Sequence, residues 1–100
     1  MVPKKDGSFR PVIDFRAVNK VTEDDRYPLP VLKDILTSLG KGNTVFSTID
    51  LLSGYWQVPL SAESQKITGF STPNGHYHFL RMAFGLKGAP ITFSRMMNHF

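Results

Sequence analysis

The chain has 100 residues, 41% hydrophobic and 20% charged, enough for one small domain or for part of a larger one. That balance excludes a disordered chain, and no apolar run approaches the length of a membrane-crossing helix. There is no cysteine, which excludes disulfides, thiolate metal sites and a thiol nucleophile, and the formal net charge is +4.

The charge is uneven. Residues 1–22 carry Lys4, Lys5, Arg10, Arg16 and Lys20 against Asp6 and Asp14. A basic lobe of this kind suits a phosphate-bearing partner, although on charge alone a solvated face is the plainer reading. The polar opening "MVPKKDGSFR" is not a secretory signal, and with the lack of cysteine it fits an intracellular protein.

"PKKDGS" (3–8) clusters Pro, Asp-Gly and Ser, and predicts a loop or hairpin tip. "FRPVIDF" predicts a strand, with Pro11 marking an edge. "VTEDDRYPLP" is a connection that Pro28 and Pro30 hold extended. From Val31 to Leu39 the apolar period becomes helical, with Val31, Leu32, Ile35, Leu36 and Leu39 on one face. "GKGN" stops that helix, with Gly40 expected at C′.

"TVFSTID" (44–50) is β-branched and apolar, and predicts a buried strand. "SAESQK" (61–66) predicts a short helix capped by Ser61, with Glu63 in its first turn. "ITGFST" and "YHFLRM" flank "PNGH", a hairpin signal centred on Asn-Gly. "GAPITFSRMMNHF" predicts a helix with Pro90 in its first turn and Phe93, Met96, Met97 and Phe100 on one face. Its pattern still runs at Phe100 without a C-cap, so a fragment of something longer is expected. The order of elements gives a mixed α/β (α+β) arrangement, a mostly antiparallel sheet packed by helices.

One stretch, "FSTIDLLSGYWQVPL", carries the chemistry. A charged carboxylate is costly in an apolar interior, so Asp50 belongs at a strand end, facing solvent, a donor or a metal. A lone aspartate there is most often a turn cap. Its company points further. The "LLSG" turn offers backbone N–H groups for a phosphate, Gly54 permits close approach or an unusual backbone angle, and Tyr55 sets a flat ring beside the same opening. A carboxylate for a hard cation, amides for phosphate and a ring for a sugar or base suit a nucleoside triphosphate with Mg²⁺. Trp56 reads as core or scaffold.

The ordered blocks "VPKKDGSFRPVIDFRAVNKVT", "YPLP", "STIDLLSGYWQVPL" and "ITGFSTPNGHYHFLRMAFGLKGAPITFSRMMNHF" resemble the reverse transcriptases of gypsy-type LTR retrotransposons, close to the retroviral enzymes. The similarity covers essentially the whole chain. It implies the fingers and partial palm of a right-hand polymerase. Residues 1–43 match a fingers portion, 44–60 the first palm motif, 61–82 a fingers hairpin segment, and 83–100 the start of a palm helix.

The resemblance also implies roles. Asp50 matches the aspartate that binds both catalytic Mg²⁺ ions, and the Leu51 carbonyl a backbone ligand of one. Tyr55 matches the gate that excludes a 2′-hydroxyl, and the amides of Ser53 and Gly54 meet the triphosphate. Arg10 matches an arginine on the base and phosphates; either Lys4 or Lys5 matches the triphosphate lysine. Phe84 and Gly85 flank sugar and base. Phe84 stands where retroviral enzymes often carry glutamine, a difference that refines the subfamily. Asp14 and Arg16 form local structure or template contacts and take no catalytic role, and Lys87 is a candidate template contact, a lone surface lysine being the plainer reading. His76, His78 and His99 lack metal-ligand spacing.

The implied partners are an RNA or DNA template with its primer, dNTPs and the rest of a pol polyprotein, with no membrane. The implied setting is the cytoplasm or a virus-like particle. The family's Tyr-x-Asp-Asp carboxylates are absent from these residues, so the piece alone is expected to be inactive. A decayed element with at most nucleic-acid binding is the alternative.

Overall fold

Turn chemistry builds the first ribbon. In the computed structural model, which describes residues 2–100, Val2–Pro3 (β1) pairs antiparallel with Phe9–Arg10 (β2), Val2 opposite Arg10. Gly7 makes the reversal at φ 86°. The Asp6 carboxylate accepts from the Ser8 hydroxyl at 2.6 Å and from the Ser8 backbone N–H at 3.0 Å. Those two bonds, the hydroxyl's first, hold Asp6 below the usual carboxylate range. Pro11 has no N–H to extend the ladder, so the strand expected across "FRPVIDF" is only two residues long.

A helix that the apolar period does not announce follows, Arg16–Val21 (α1). Asp14 starts it by accepting the Arg16 N–H at 3.0 Å. The connection then leads to Leu32–Leu39 (α2), where a helix was expected. Gly40 caps it in right-handed backbone at φ −77°, and the left-handed glycine is Gly42 at φ 79°. The expected C′ role of Gly40 is therefore corrected. The apolar face of α2, Leu32, Ile35, Leu36 and Leu39, is exposed throughout.

The buried strand expected at 44–50 is also corrected. These residues form neither helix nor ladder among the described residues, and Ile49 is 92% exposed. Composition favours extension, but a strand exists only through a paired neighbour, and none lies beside this segment.

Beyond it the chain is tightly paired. Tyr55–Gln57 forms one 3₁₀ turn. The Leu60 N–H donates to the Leu80 carbonyl at 3.0 Å, and the Met82 N–H donates to the Val58 carbonyl at 2.8 Å, with Pro59 opposite Arg81. Ala62–Ile67 (α3) is capped by Ser61, whose hydroxyl accepts the Ser64 N–H at 3.3 Å. Phe70–Thr72 (β3) pairs antiparallel with Gly75–Tyr77 (β4). The two loop residues are Pro73 and Asn74, because Thr72 lies opposite Gly75. Asn-Gly is thus one residue out of the expected central position.

Ala89–Met97 (α4) has Pro90 in its first turn and ends at Met97, with Asn98 as C-cap. Its helical pattern does not run on to Phe100, which is 94% exposed. No described helix is long and apolar enough to cross a membrane.

The core is small. Phe15, Met82, Ala83 and Ala89 are buried, with Thr68 as the buried polar residue. Phe79 meets Phe15 edge-on at 6.1 Å and Phe70 at 5.6 Å. The architecture is the expected mix of α-helix and antiparallel β-structure, but as two separate two-stranded ribbons and not one sheet.

Thr68 joins these parts. Its hydroxyl donates to the Gln65 carbonyl at 2.7 Å and accepts the Phe79 N–H at 2.9 Å. Thr68→Val keeps the shape and leaves the Phe79 N–H without a partner. The expected loss is about 1–3 kcal/mol, read from urea unfolding followed by circular dichroism. An unchanged midpoint would show that this bond does not hold the hairpin to α3.

Candidate active site

Three distant segments meet around one cleft of 580 Å³. Lys4 and Arg10 come from the first ribbon, residues 49–56 from the turn, and Phe84, Phe93 and Met97 from the C-terminal part. Asp50 is the single acidic residue lining it. Asp50 is exposed, and it opens on the same cleft as Tyr55.

The turn solves two separate steric problems. Ser53 takes the left-handed conformation at φ 51°, the one non-glycine to do so among the described residues. Gly54 is in right-handed backbone, and its need is space: a Cβ there would meet the Phe93 ring at 3.1 and 3.2 Å. Of the two roles open to Gly54, the close approach is its own and the unusual backbone angle falls on Ser53.

The rings form a chain. The Arg10 guanidinium lies 4.5 Å from the Phe84 centroid. Phe84 meets Tyr55 at 5.2 Å, tilted by 49°. Tyr55 meets Phe93 at 5.5 Å in an edge arrangement. Tyr55 is thus held between two phenylalanines. Trp56, 6.1 Å from Phe84, is 48% exposed on the rim and not in the core.

The remaining candidates lie elsewhere. Lys5 lines a neighbouring groove shared with Lys4 and Arg10. Gly85, at φ 90°, packs under the loop, where a Cβ would lie 3.7 Å from both the Ile13 carbonyl and the Phe15 ring. Lys87 pairs with Asp24 at 2.5 Å and donates to the Thr22 carbonyl at 3.2 Å. Arg16 pairs with Asp14, its Nη2 at 2.7 Å and its Nε at 3.0 Å from the carboxylate. His76 shares a 2.7 Å hydrogen bond with Ser71 on the hairpin. No three His, Asp or Glu side chains gather in metal-binding geometry among the described residues.

Asn19 belongs to the site's support, and sequence reasoning missed it. Its amide donates to the Gly85 carbonyl at 2.8 Å, and its oxygen accepts the Lys87 N–H at 2.8 Å. It clamps onto α1 the loop that carries Phe84. A single asparagine on a short helix gives no periodic signal. The apolar period puts Phe93 on a helix face, and nothing local shows that this face meets Gly54.

The reverse transcriptase (RNA-dependent DNA polymerase) family model matches residues 2–100. The retrovirus-related Pol polyprotein from transposon 297 of Drosophila melanogaster is 50% identical over 99% of this chain and 10% of its own length. The corresponding polyprotein from transposon 412 is 48% identical over 97% of this chain and 8% of its own length. The enzymatic polyprotein of figwort mosaic virus (strain DxS) is 43% identical over 94% of this chain and 14% of its own length. The chain thus spans between 8% and 14% of these relatives.

The Asp14–Arg16 pair makes a direct test of the structure. Hydrogen bonds from Arg16, its side chain first and its backbone N–H second, lower Asp14 from 3.8 to about 2. The same pairing raises the Arg16 guanidinium. A depressed carboxylate stabilises the fold above its unfolded value of 3.8, and that contribution is lost as pH falls through about 2. Carboxyl ¹³C NMR should give a midpoint at about 2, and Arg16→Gln should return it toward 3.8. A midpoint already at 3.8 in the unsubstituted chain would show that the pair does not form in solution.

Proposed function

The chain belongs to the reverse transcriptase (RNA-dependent DNA polymerase) family, and we propose from that premise that it supplies the nucleotide-gripping half of an RNA-directed DNA polymerase site. The polymerase extends a primer 3′-end with dNTPs on an RNA or DNA template. The observation that carries this reading is the single cleft that joins Asp50, Tyr55, Phe84, Arg10 and Lys4 from three segments.

The donors fit Mg²⁺ in kind. The Asp50 carboxylate, with the Leu51 carbonyl beside it, offers hard oxygen ligands at the cleft wall. They fall short in number, since one carboxylate, even shared between two ions, leaves each without enough charged ligands. When bound, the two ions would activate the primer hydroxyl and neutralise the triphosphate.

The chain's own residues bind and select. Arg10 and Lys4 bring positive charge to the triphosphate, and the backbone amides of Ser53 and Gly54 face it. The position of Lys4 on the cleft favours it over Lys5 for that contact. Tyr55 lies under the sugar and meets a 2′-hydroxyl by collision. Backed by Phe84 and Phe93, its ring has little room to yield. Phe84 forms the wall beside sugar and base, and Gly85 shapes the loop behind it. Arg16 and Lys87, engaged in ion pairs, would meet template only at the cost of those bonds.

In this reading residues 1–43 and 61–82 belong to the fingers, and 44–60 and 83–100 to the palm. An intracellular setting, cytoplasm or virus-like particle, goes with it. The hundred residues alone are inactive, because the cleft holds one carboxylate.

The test transplants this segment into the transposon 297 polyprotein and measures primer extension with Mg²⁺. The chimaera should extend primers. Asp50→Asn should lower the rate by on the order of 10²–10³-fold, as loss of one charge-stabilising group does. Tyr55→Ala should raise ribonucleotide use by on the order of 10–100-fold. An Asp50→Asn chimaera as fast as its parent, or template-dependent incorporation by the hundred residues alone, would overturn the reading.

A further inference from the structure

The turn between Asp50 and Tyr55 is braced by a side chain outside the cleft. Gln57 Nε2 donates to the Leu52 carbonyl at 2.6 Å, and the Gln57 backbone N–H donates to the Gly54 carbonyl at 3.2 Å. The Gln57 carbonyl in turn accepts from Arg81 Nη1 at 3.2 Å. Arg81 is itself fixed in the bridge opposite Pro59. The brace therefore runs from the paired backbone, through Gln57, to Leu52.

Ser53 sits between the two ends of that brace at φ 51°. A residue other than glycine stays in this region only where its surroundings hold it. The side chains of Ser53 and Leu52 do not do so by packing, because Ser53 is exposed and Leu52 is 87% exposed; of residues 52–54, Gly54 alone is packed, against Phe93. The Gln57 amide is the side-chain bond that spans the strained residue. Gly54 and Tyr55, on the far side of Ser53, take their direction from it.

We propose that Gln57 is a positioning residue, whose amide on the Leu52 carbonyl sets the left-handed turn at Ser53 and with it the placement of the Tyr55 gate relative to Asp50. The chemistry of the inference rests on the polymerase reading above; its mechanics rest on these bonds alone. Gln57 does not line the cleft, so its effect on sugar selection is indirect.

Three variants separate the possibilities. Gln57→Leu removes the donor without adding charge. Gln57→Glu keeps the shape but turns a carboxylate oxygen toward the Leu52 carbonyl. Gln57→Lys restores a donor of similar reach. The first measurement is the Ser53 φ angle by NMR couplings in the hundred-residue chain. The second is the preference for deoxy- over ribonucleotides in the transposon 297 chimaera.

Gln57→Leu and Gln57→Glu should release Ser53 from left-handed backbone and lower the deoxy preference by about fivefold, the worth of one ordinary hydrogen bond. Gln57→Lys should retain both. Should Gln57→Glu fail to fold, the uncharged Gln57→Leu decides. A purely structural role would reduce turnover and thermal stability while leaving φ and the sugar preference unchanged, and that result overturns the proposal. A chimaera that extends no primer even with Gln57 in place counts against the polymerase reading, while the Ser53 angle still decides what Gln57 does.

Discussion

Two backbone hydrogen bonds organise this molecule, Leu60 to Leu80 and Met82 to Val58. They lay the segment after the turn against the segment before the Phe84 loop. Without that pairing Tyr55 and Phe84, 29 positions apart in the chain, would have no reason to meet. With it, Met82 and Ala83 are buried next to the pairing and Phe84 emerges directly toward Tyr55. The third wall arrives through α4, whose Phe93 ring closes on Gly54. The cleft is therefore a consequence of a short antiparallel contact, and the aromatic chain is its visible product.

Electrostatics sets two groups of basic residues apart. Arg16, Lys87 and Arg95 pair with Asp14, Asp24 and Asp25. The last two pairs tie the acidic connection to the C-terminal part, assisted by Asn98, which donates to the Tyr27 hydroxyl at 2.6 Å. These ion pairs are exposed, and each adds little to stability by itself. Their larger effect is to spend positive charge within the molecule. Lys4 and Arg10 bring theirs to the cleft instead, and the Phe84 ring receives the Arg10 guanidinium on its face. The uneven charge visible in the sequence is thus sharper in space than along the chain.

Local chemistry was legible in the sequence. The Ser61 cap, the Asp-Gly reversal, the α2 period and Pro90 in the first turn of α4 each follow from residues within one turn of one another. What failed was non-local. The β-branched residues 44–50 make no ladder because pairing depends on a neighbour and not on composition. The α1 helix starts from an aspartate two residues upstream and carries almost no apolar period. At the site, resemblance supplied the residues, and geometry supplied their supports. Neither Asn19, which grips a loop 66 positions away, nor Phe93, whose ring leaves little room for a Cβ at 54, could be read from a one-dimensional pattern.

The two ends of the site are held differently. Tyr55 is enclosed by Phe84, Phe93 and a turn braced onto the paired backbone. Asp50 sits where that braced turn joins residues 44–49, which make no backbone hydrogen bond among the described residues. Val45, Phe46 and Ile49 in that segment are exposed, as is the apolar face of α2. So much exposed apolar surface is uncommon on a free-standing domain. A strand paired with residues 44–50 would supply the ladder they lack and hold the carboxylate from both sides. The Tyr55 end depends on that segment less, because Phe84, Phe93 and the Gln57 amide approach it from beyond Ser53 and only the Leu52 carbonyl lies on the Asp50 side. The Tyr55 side and the Asp50 side of the cleft are in this sense mechanically separable, and only the first is braced throughout by these residues.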